Sequence, residues 1–172
     1  MSITLRPIRP DDESFLLDVY SSTRAEEMAL VPWTDEQKRA FIEMQFRAQD
    51  SYYRERFPNA DFRVILEHEE RVGRLYLLAD SSAISIIDIT VLPEHRKRGI
   101  GTFLIRQVID EGSLSKRSVQ VYVETHNPSL PLFERLGFFR VKEDGMNFLL
   151  ECKPGTQNLG TGTSSAVQTI DD

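Results

Sequence analysis

The sequence predicts an α+β domain of about six or seven strands and about four helices. Three observations carry that expectation. Between residues 62 and 91, three apolar segments follow one another through short polar turns, as antiparallel strands do. The last of them, Ile84–Val91, runs into a loop holding Gly99 and Gly101. That loop opens onto Phe103–Ile109, whose apolar positions fall on one side of a helix. Near the end, residues 138–141 and 147–152 flank Glu143-Asp144-Gly145 and read as a closing hairpin.

Taken in order, Ile3–Ile8 reads as a short first strand. Pro10-Asp11-Asp12-Glu13 opens a helix, its carboxylates suited to the positive end of the helix dipole, and Phe15, Leu16, Val19 and Tyr20 share one face. Pro32-Trp33 breaks the chain, and Thr34-x-x-Gln37 forms a capping box for a second, longer helix to about Arg54. Its expected apolar stripe is Phe41, Met44, Ala48 and Tyr52, and Pro58 ends it. Phe62, Val64 and Leu66 alternate with polar residues, Glu69-Glu70 turn the chain, and Val72–Leu78 returns as a partner strand. Asp80-Ser81-Ser82 turns again into Ile84–Val91. The helix after the glycine loop is expected to stop at Gly112 as a C-cap. Val119, Val121 and Val123 mark the next strand, and Ser129–Leu136 a short helix stopped by Gly137. Residues 1–153 form the predicted domain. Residues 154–172 have hardly an aromatic or large apolar side chain, and the expectation for them is a disordered or extended tail.

Composition narrows the function classes. The chain has 172 residues, 40% hydrophobic and 28% charged, as in ordinary soluble globules. Its net charge of −6 argues against a nucleic-acid binder that works by phosphate neutralisation. The longest apolar stretches are strand-sized, so no membrane partner is expected. The N-terminus lacks an apolar leader, and the expected compartment is the cytoplasm. A lone Cys152 makes no internal disulfide and reads as a packed hydrophobe.

The glycine loop carries chemistry. The first amides of a helix have no intrahelical acceptor and sit at the positive end of the dipole. Gly99 and Gly101 remove side chains that would keep a ligand from them, and Arg96, Lys97 and Arg98 add three cations. Together they read as a cradle for phosphate or pyrophosphate. It is neither a Walker loop, since no Gly-Lys-Ser/Thr follows, nor a dinucleotide fingerprint, since the third glycine is missing.

Arg96-x-x-Gly99-x-Gly101, after a strand ending Val91-Leu92-Pro93, resembles the acyl-CoA-binding motif of the GNAT N-acetyltransferase superfamily. Asn127-Pro128-Ser129-Leu130-Pro131-Leu132-Phe133-Glu134-Arg135-Leu136-Gly137-Phe138 resembles that superfamily's later motif, and the two occur in the family's order. The resemblance covers roughly residues 3–152. It implies a three-layer α/β arrangement with a mixed, mostly antiparallel twisted sheet. It also implies acetyl-CoA as donor cosubstrate, no metal, and an amine-bearing small molecule or peptide as acceptor. Dimers are common in such proteins, so a homodimer fits the resemblance. In the family the fourth strand splays from the fifth through a bulge, which here would free backbone groups at Ile89 and Val91 for the pantetheine and thioester. The amides of Arg98, Gly99, Ile100, Gly101 and Thr102 would hold the pyrophosphate, with Arg96 and Lys97 adding attraction. Asn127 matches a cofactor-contacting asparagine, and is equally a helix cap. The early helices flank the acceptor site, so Met28, Trp33, Phe41, Gln45 and Tyr52 are candidates to line it, Trp33 and Tyr52 being retained as the acceptor residues.

Phe133 stands where the family usually carries a thiolate-protonating tyrosine, within the cofactor site, and phenylalanine has no proton to give. An acceptor ammonium must also lose a proton. Asp88, a charge inside an apolar strand, is the first candidate base, and its alternative role is to pair with a neighbouring arginine or loop. Glu124, Tyr122 and His126 are lesser candidates, while His68 and His95 read as solvated loop residues. The expected function is transfer of an acetyl group from acetyl-CoA to a primary amine by direct attack. Two alternatives are an acyl-CoA-binding sensor or scaffold without turnover, suggested by Phe133, and a nucleotide-binding module built on the same loop.

Overall fold

Each strand expected from alternation forms, and each joins one sheet. The computed structural model describes residues 2–155, so the predicted tail lies, from 156 on, outside the described residues. The elements are β1 (Ile3–Pro7), α1 (Glu13–Ala29), α2 (Asp35–Arg56), β2 (Asp61–Glu67), β3 (Glu70–Ala79), β4 (Ala83–Val91), α3 (Ile100–Leu114), β5 (Ser118–Glu124), α4 (Leu130–Arg135), β6 (Phe139–Glu143) and β7 (Asn147–Cys152). The sheet has seven strands in the order β1-β2-β3-β4-β5-β7-β6. Only β4 and β5 pair parallel, because α3 carries the chain back across the sheet between them.

Strand alternation sorts side chains onto two apolar faces. Leu75, Ile84 and Ile86 join Val119, Val121 and Val123 beneath α3 and α4, with Ile100, Leu104 and Val108 from α3. On the other face Val64 packs with Phe15, Leu16, Val19 and Tyr20 of α1 and with Ile42 and Phe46 of α2. Two such faces covered by helices make the three-layer arrangement.

The expected capping box of α2 forms in full: Thr34 Oγ1 accepts from the Gln37 amide at 3.1 Å, and Gln37 Oε1 from the Thr34 amide at 3.0 Å. The apolar stripe expected for α2 is displaced, however. Met44 and Tyr52 are 58% and 57% exposed, and the buried residues are Ile42 and Phe46. The helix carries apolar residues on two sectors, and the sheet takes the sector that also brings Gln49 and Tyr53 to polar partners below. The β2–β3 turn also differs: it is made by His68 and Glu69, with φ of 47° and 69°, and Glu70 already pairs with Glu67. Two left-handed residues match the twist of the flanking strands. Gly112 does not end α3, which runs to Leu114. A Cβ on Gly112 would lie 2.8 Å from the Arg117 carbonyl oxygen, so that glycine permits the close return of the chain into β5.

Candidate active site

The site is built where β4 leaves β5. Their ladder holds from Ala83↔Ser118 to Ile86↔Val121 and then stops, although β4 continues to Val91. A bulge sits at that point: Leu77 faces Ile86 and Tyr76 faces Asp88, leaving Ile87 as the extra residue. The expected bulge and splay are therefore present in this chain. Beyond them, the side chains of Ile89 and Val91 pack against the core under α3.

The glycine loop follows. A short 3-10 turn, Pro93–His95, leads to Lys97, with φ of 60°, and to Gly99, the N-cap of α3, with φ of 82°. Glycine holds that left-handed cap at least cost. Among the described residues the amides of Arg98, Gly99, Ile100, Gly101 and Thr102 donate no hydrogen bond. A Cβ on Gly101 would meet nothing within 4 Å, so the space beside that residue is open.

The three cations do not share one role. Arg96 folds back, its Nε donating to the Val91 carbonyl oxygen at 2.7 Å. Arg98 donates from Nη2 to Glu67 Oε1 at 2.7 Å and lies 3.2 Å from His95 Nδ1. Lys97 makes no ion pair among the described residues. His95 corrects its expectation as a solvated residue: its side chain is 13% exposed and lies 3.8 Å from both Glu67 and Glu70.

Asp88 has the partner that its alternative role required. Arg74 donates to it through Nε at 3.2 Å and Nη2 at 2.8 Å, Tyr53 Oη at 3.1 Å, and Thr90 Oγ1 at 2.8 Å. Arg74 also donates to Gln49 Oε1 at 2.8 Å. Burial works against the Arg74 charge, but the Asp88 carboxylate more than offsets it and holds the guanidinium above its ordinary value. Burial pushes the Tyr53 phenol up, and Asp88 adds to the shift. Burial likewise pushes the Tyr76 phenol up to about 12. Neither phenol ionises near neutral pH. Arg74 was detectable by the signal that marked Asp88, a charge inside an apolar strand. Tyr53, Gln49 and Glu67 had no comparable signal, since each is ordinary for its element.

Gln120, Tyr122 and Glu124 occupy one side of β5 while its valines face the core. Glu124 is exposed and, among the described residues, its carboxylate has no ion-pair or hydrogen-bond partner. His126 is exposed in the following loop. Asn127 Oδ1 accepts from the Ser129 amide at 2.9 Å and from Ser129 Oγ at 2.7 Å, closing the turn into α4, whose N-cap is Ser129 rather than Asn127. Phe133 is 3% exposed and edge-on to Phe138 at 5.3 Å, because the short helix turns that side into the core. Trp33 is 42% exposed and stacked edge-on against Phe41, and exposed Tyr52 lies beside Tyr53 and Phe57. Met28 and Phe41 are half-buried, and Gln45 Oε1 accepts from Tyr20 Oη at 3.3 Å. Among the described residues no group of three or more His, Cys, Asp or Glu is placed to hold a metal ion. No described helix is long and apolar enough to cross a membrane.

Comparison with known proteins bears on this arrangement. The model of the acetyltransferase (GNAT) family matches residues 18–138. No curated protein matches the chain. Among solved structures, PaiA N-acetyltransferase from Thermoplasma acidophilum, in complex with coenzyme A, is 18% identical with a TM-score of 0.64, the match covering 89% of this chain and 99% of that one. An acetyltransferase from Thermus thermophilus is 19% identical with a TM-score of 0.66, covering 89% and 97%. A GNAT family acetyltransferase from Elizabethkingia anophelis, with acetyl-CoA bound, is 17% identical with a TM-score of 0.54, covering 88% and 97%. At these identities the likeness is one of fold.

Proposed function

The chain belongs to the acetyltransferase (GNAT) family, and from that premise we propose that it transfers an acetyl group from acetyl-CoA to a primary amine by direct attack within a ternary complex. The observation that carries this reading is the run of five amides, Arg98 to Thr102, without acceptors at the start of α3, beside the end of β4 that has parted from β5. A pyrophosphate satisfies those amides and the helix dipole together. The backbone of Ile89 and Val91 would then receive the pantetheine and polarise the thioester carbonyl, as preorganised dipoles do. Lys97 is the cation left to add salt-sensitive attraction, since Arg96 and Arg98 are engaged within the protein.

Holding amine and thioester together supplies much of the acceleration in a direct transfer. The amine must arrive neutral. Glu124 serves as base, directly or through water, because its carboxylate has no protein partner, whereas four donors already occupy Asp88. With Phe133 buried, the departing thiolate takes its proton from water, which its thiol pKa of about 8.5 allows near neutral pH. Trp33 and Tyr52 are exposed aromatic surfaces available to an acceptor.

The test is a calorimetric titration with acetyl-CoA, repeated on Gly101→Glu. A Cβ at 101 meets nothing within 4 Å, so the variant is expected to fold and to bring a negative charge to the amides that would hold the phosphates. Binding in the micromolar range, abolished in the variant, supports the reading and opens an amine screen. Absence of binding in the unaltered chain overturns it. Binding without acetylation of any amine favours the sensor or scaffold.

A further inference from the structure

We infer that Asp88 is a positioning residue: paired with Arg74, it holds β4 in the bulged register that parts this strand from β5. The inference rests on the acetyl-CoA reading only for what the parted strands receive.

Leu77 faces Ile86 and Tyr76 faces Asp88, with Ile87 between them. Without that extra residue Ile87 would face Tyr76, and Asp88 would face Leu75. Side chains alternate along a strand, so a one-residue slip moves each to the opposite side of the sheet. Asp88 would then enter the face of Leu75 and Ile86, 2% and 3% exposed in an apolar cluster under α3. Arg74, itself 2% exposed, would lose its carboxylate and face an isoleucine. The slip strands two buried charges at once, and unpaired buried charge is among the costliest defects a fold can carry.

In the bulged register both charges are satisfied. Asp88 accepts from two nitrogens of Arg74, from Tyr53 and from Thr90, and Gln49 takes a further hydrogen of Arg74. The far end of the same strand pair is fixed independently. A Cβ on Gly73 would lie 2.2 Å from the Thr90 carbonyl oxygen, so β3 and β4 approach there as only glycine permits. The bulged residue directly follows Ile86↔Val121, the last β4–β5 pair, so the register fixed by Asp88 sets where the strands separate. Buried ionic groups that select one register are a known use of such pairs.

The experiment compares Asp88→Asn with the double variant Arg74→Leu/Asp88→Leu, which removes both charges and leaves neither stranded. NMR cross-strand contacts report whether residue 88 faces Tyr76 or Leu75. NMR titrations with acetyl-CoA and with 3′-phosphoadenosine 5′-diphosphate, the nucleotide half without pantetheine, report the two halves of the site. Asp88→Asn keeps a hydrogen-bonding side chain whose partners Tyr53, Arg74 and Thr90 lie on the Tyr76 side, and it should keep the Tyr76 contact while losing stability, since Arg74 loses its counter-charge. The double variant should lose the unique Tyr76 contact and bind acetyl-CoA at least tenfold more weakly, with nucleotide affinity within about threefold. General damage to the fold would weaken both ligands equally. Retention of the Tyr76 contact and of acetyl-CoA affinity in the double variant overturns the inference, as does a shifted register in Asp88→Asn. If the unaltered chain binds neither ligand, the acetyl-CoA reading falls, and the cross-strand contacts alone decide the role of Asp88.

Discussion

Arg98 Nη2 donates to Glu67 Oε1 at 2.7 Å, tying the residue before the N-cap of α3 to the last residue of β2. The carboxylate is 5% exposed and the guanidinium half-exposed, so one partner is desolvated and the other is not. A charge-assisted bond of this mixed kind is worth about 1–2 kcal/mol. Glu67→Gln should lower unfolding stability by that amount, read as a fall in the urea midpoint at unchanged slope.

A second carboxylate sets the acid limit. Asp12 is fully buried and accepts from Arg6 at 2.7 and 2.8 Å, from the Arg9 amide at 2.8 Å and from Arg71 at 3.1 Å. The Arg6 hydrogen bonds hold its carboxyl well below the usual range, against the opposing effect of burial. Its folded value lies below the unfolded one of about 3.9, so its stabilisation is complete above that pH and is lost as pH falls below it. Asp12→Asn should cost about 3 kcal/mol at neutral pH. Thermal unfolding should show the gap between variant and parent narrowing between about pH 4 and pH 2.

Glu124, as the proposed base, should act on the chemical step and not on donor binding. Once an acceptor amine is in hand, Glu124→Gln should lower kcat by about 10²-fold or more and leave the KM for acetyl-CoA unchanged. An unchanged kcat in Glu124→Gln would exclude it as the base.

Gly73 makes a prediction from sterics alone. With a Cβ 2.2 Å from the Thr90 carbonyl oxygen, Gly73→Ala forces β3 and β4 apart, at a cost of about 2–3 kcal/mol in chemical denaturation. Stability equal to the parent would show that the strands yield at that point.

Phe133 tests the division between core and site. Its ring is 3% exposed against Phe138, so Phe133→Ala should cost about 3–4 kcal/mol through cavity formation. Acetyl-CoA affinity measured well below the unfolding transition should change little.

Much of the frame was legible along the chain because its determinants are local. Alternation in Phe62, Val64 and Leu66, the Thr34–Gln37 capping box, and two glycines between a strand and a helix each specify their own backbone. The sector of α2 that would be buried was not legible, because Phe41, Met44, Ala48 and Tyr52 are as apolar as Ile42 and Phe46 and only the sheet below distinguishes them. Nor was the fate of Phe133, since a six-residue helix leaves its direction to the surrounding packing.

The succession of strands and helices, the cradle character of the glycine loop and the oddity of Asp88 all follow from residues near one another in the chain. What the charges do depends on the packing of distant segments. That packing turned Arg96 onto Val91, Arg98 onto Glu67 and Asp88 onto Arg74, and left Lys97 and Glu124 without partners among the described residues. A charge acts on whatever lies within a few ångströms of it in space. For Asp88 that neighbour comes from another strand, 14 residues earlier, and for Arg98 from 31 residues earlier.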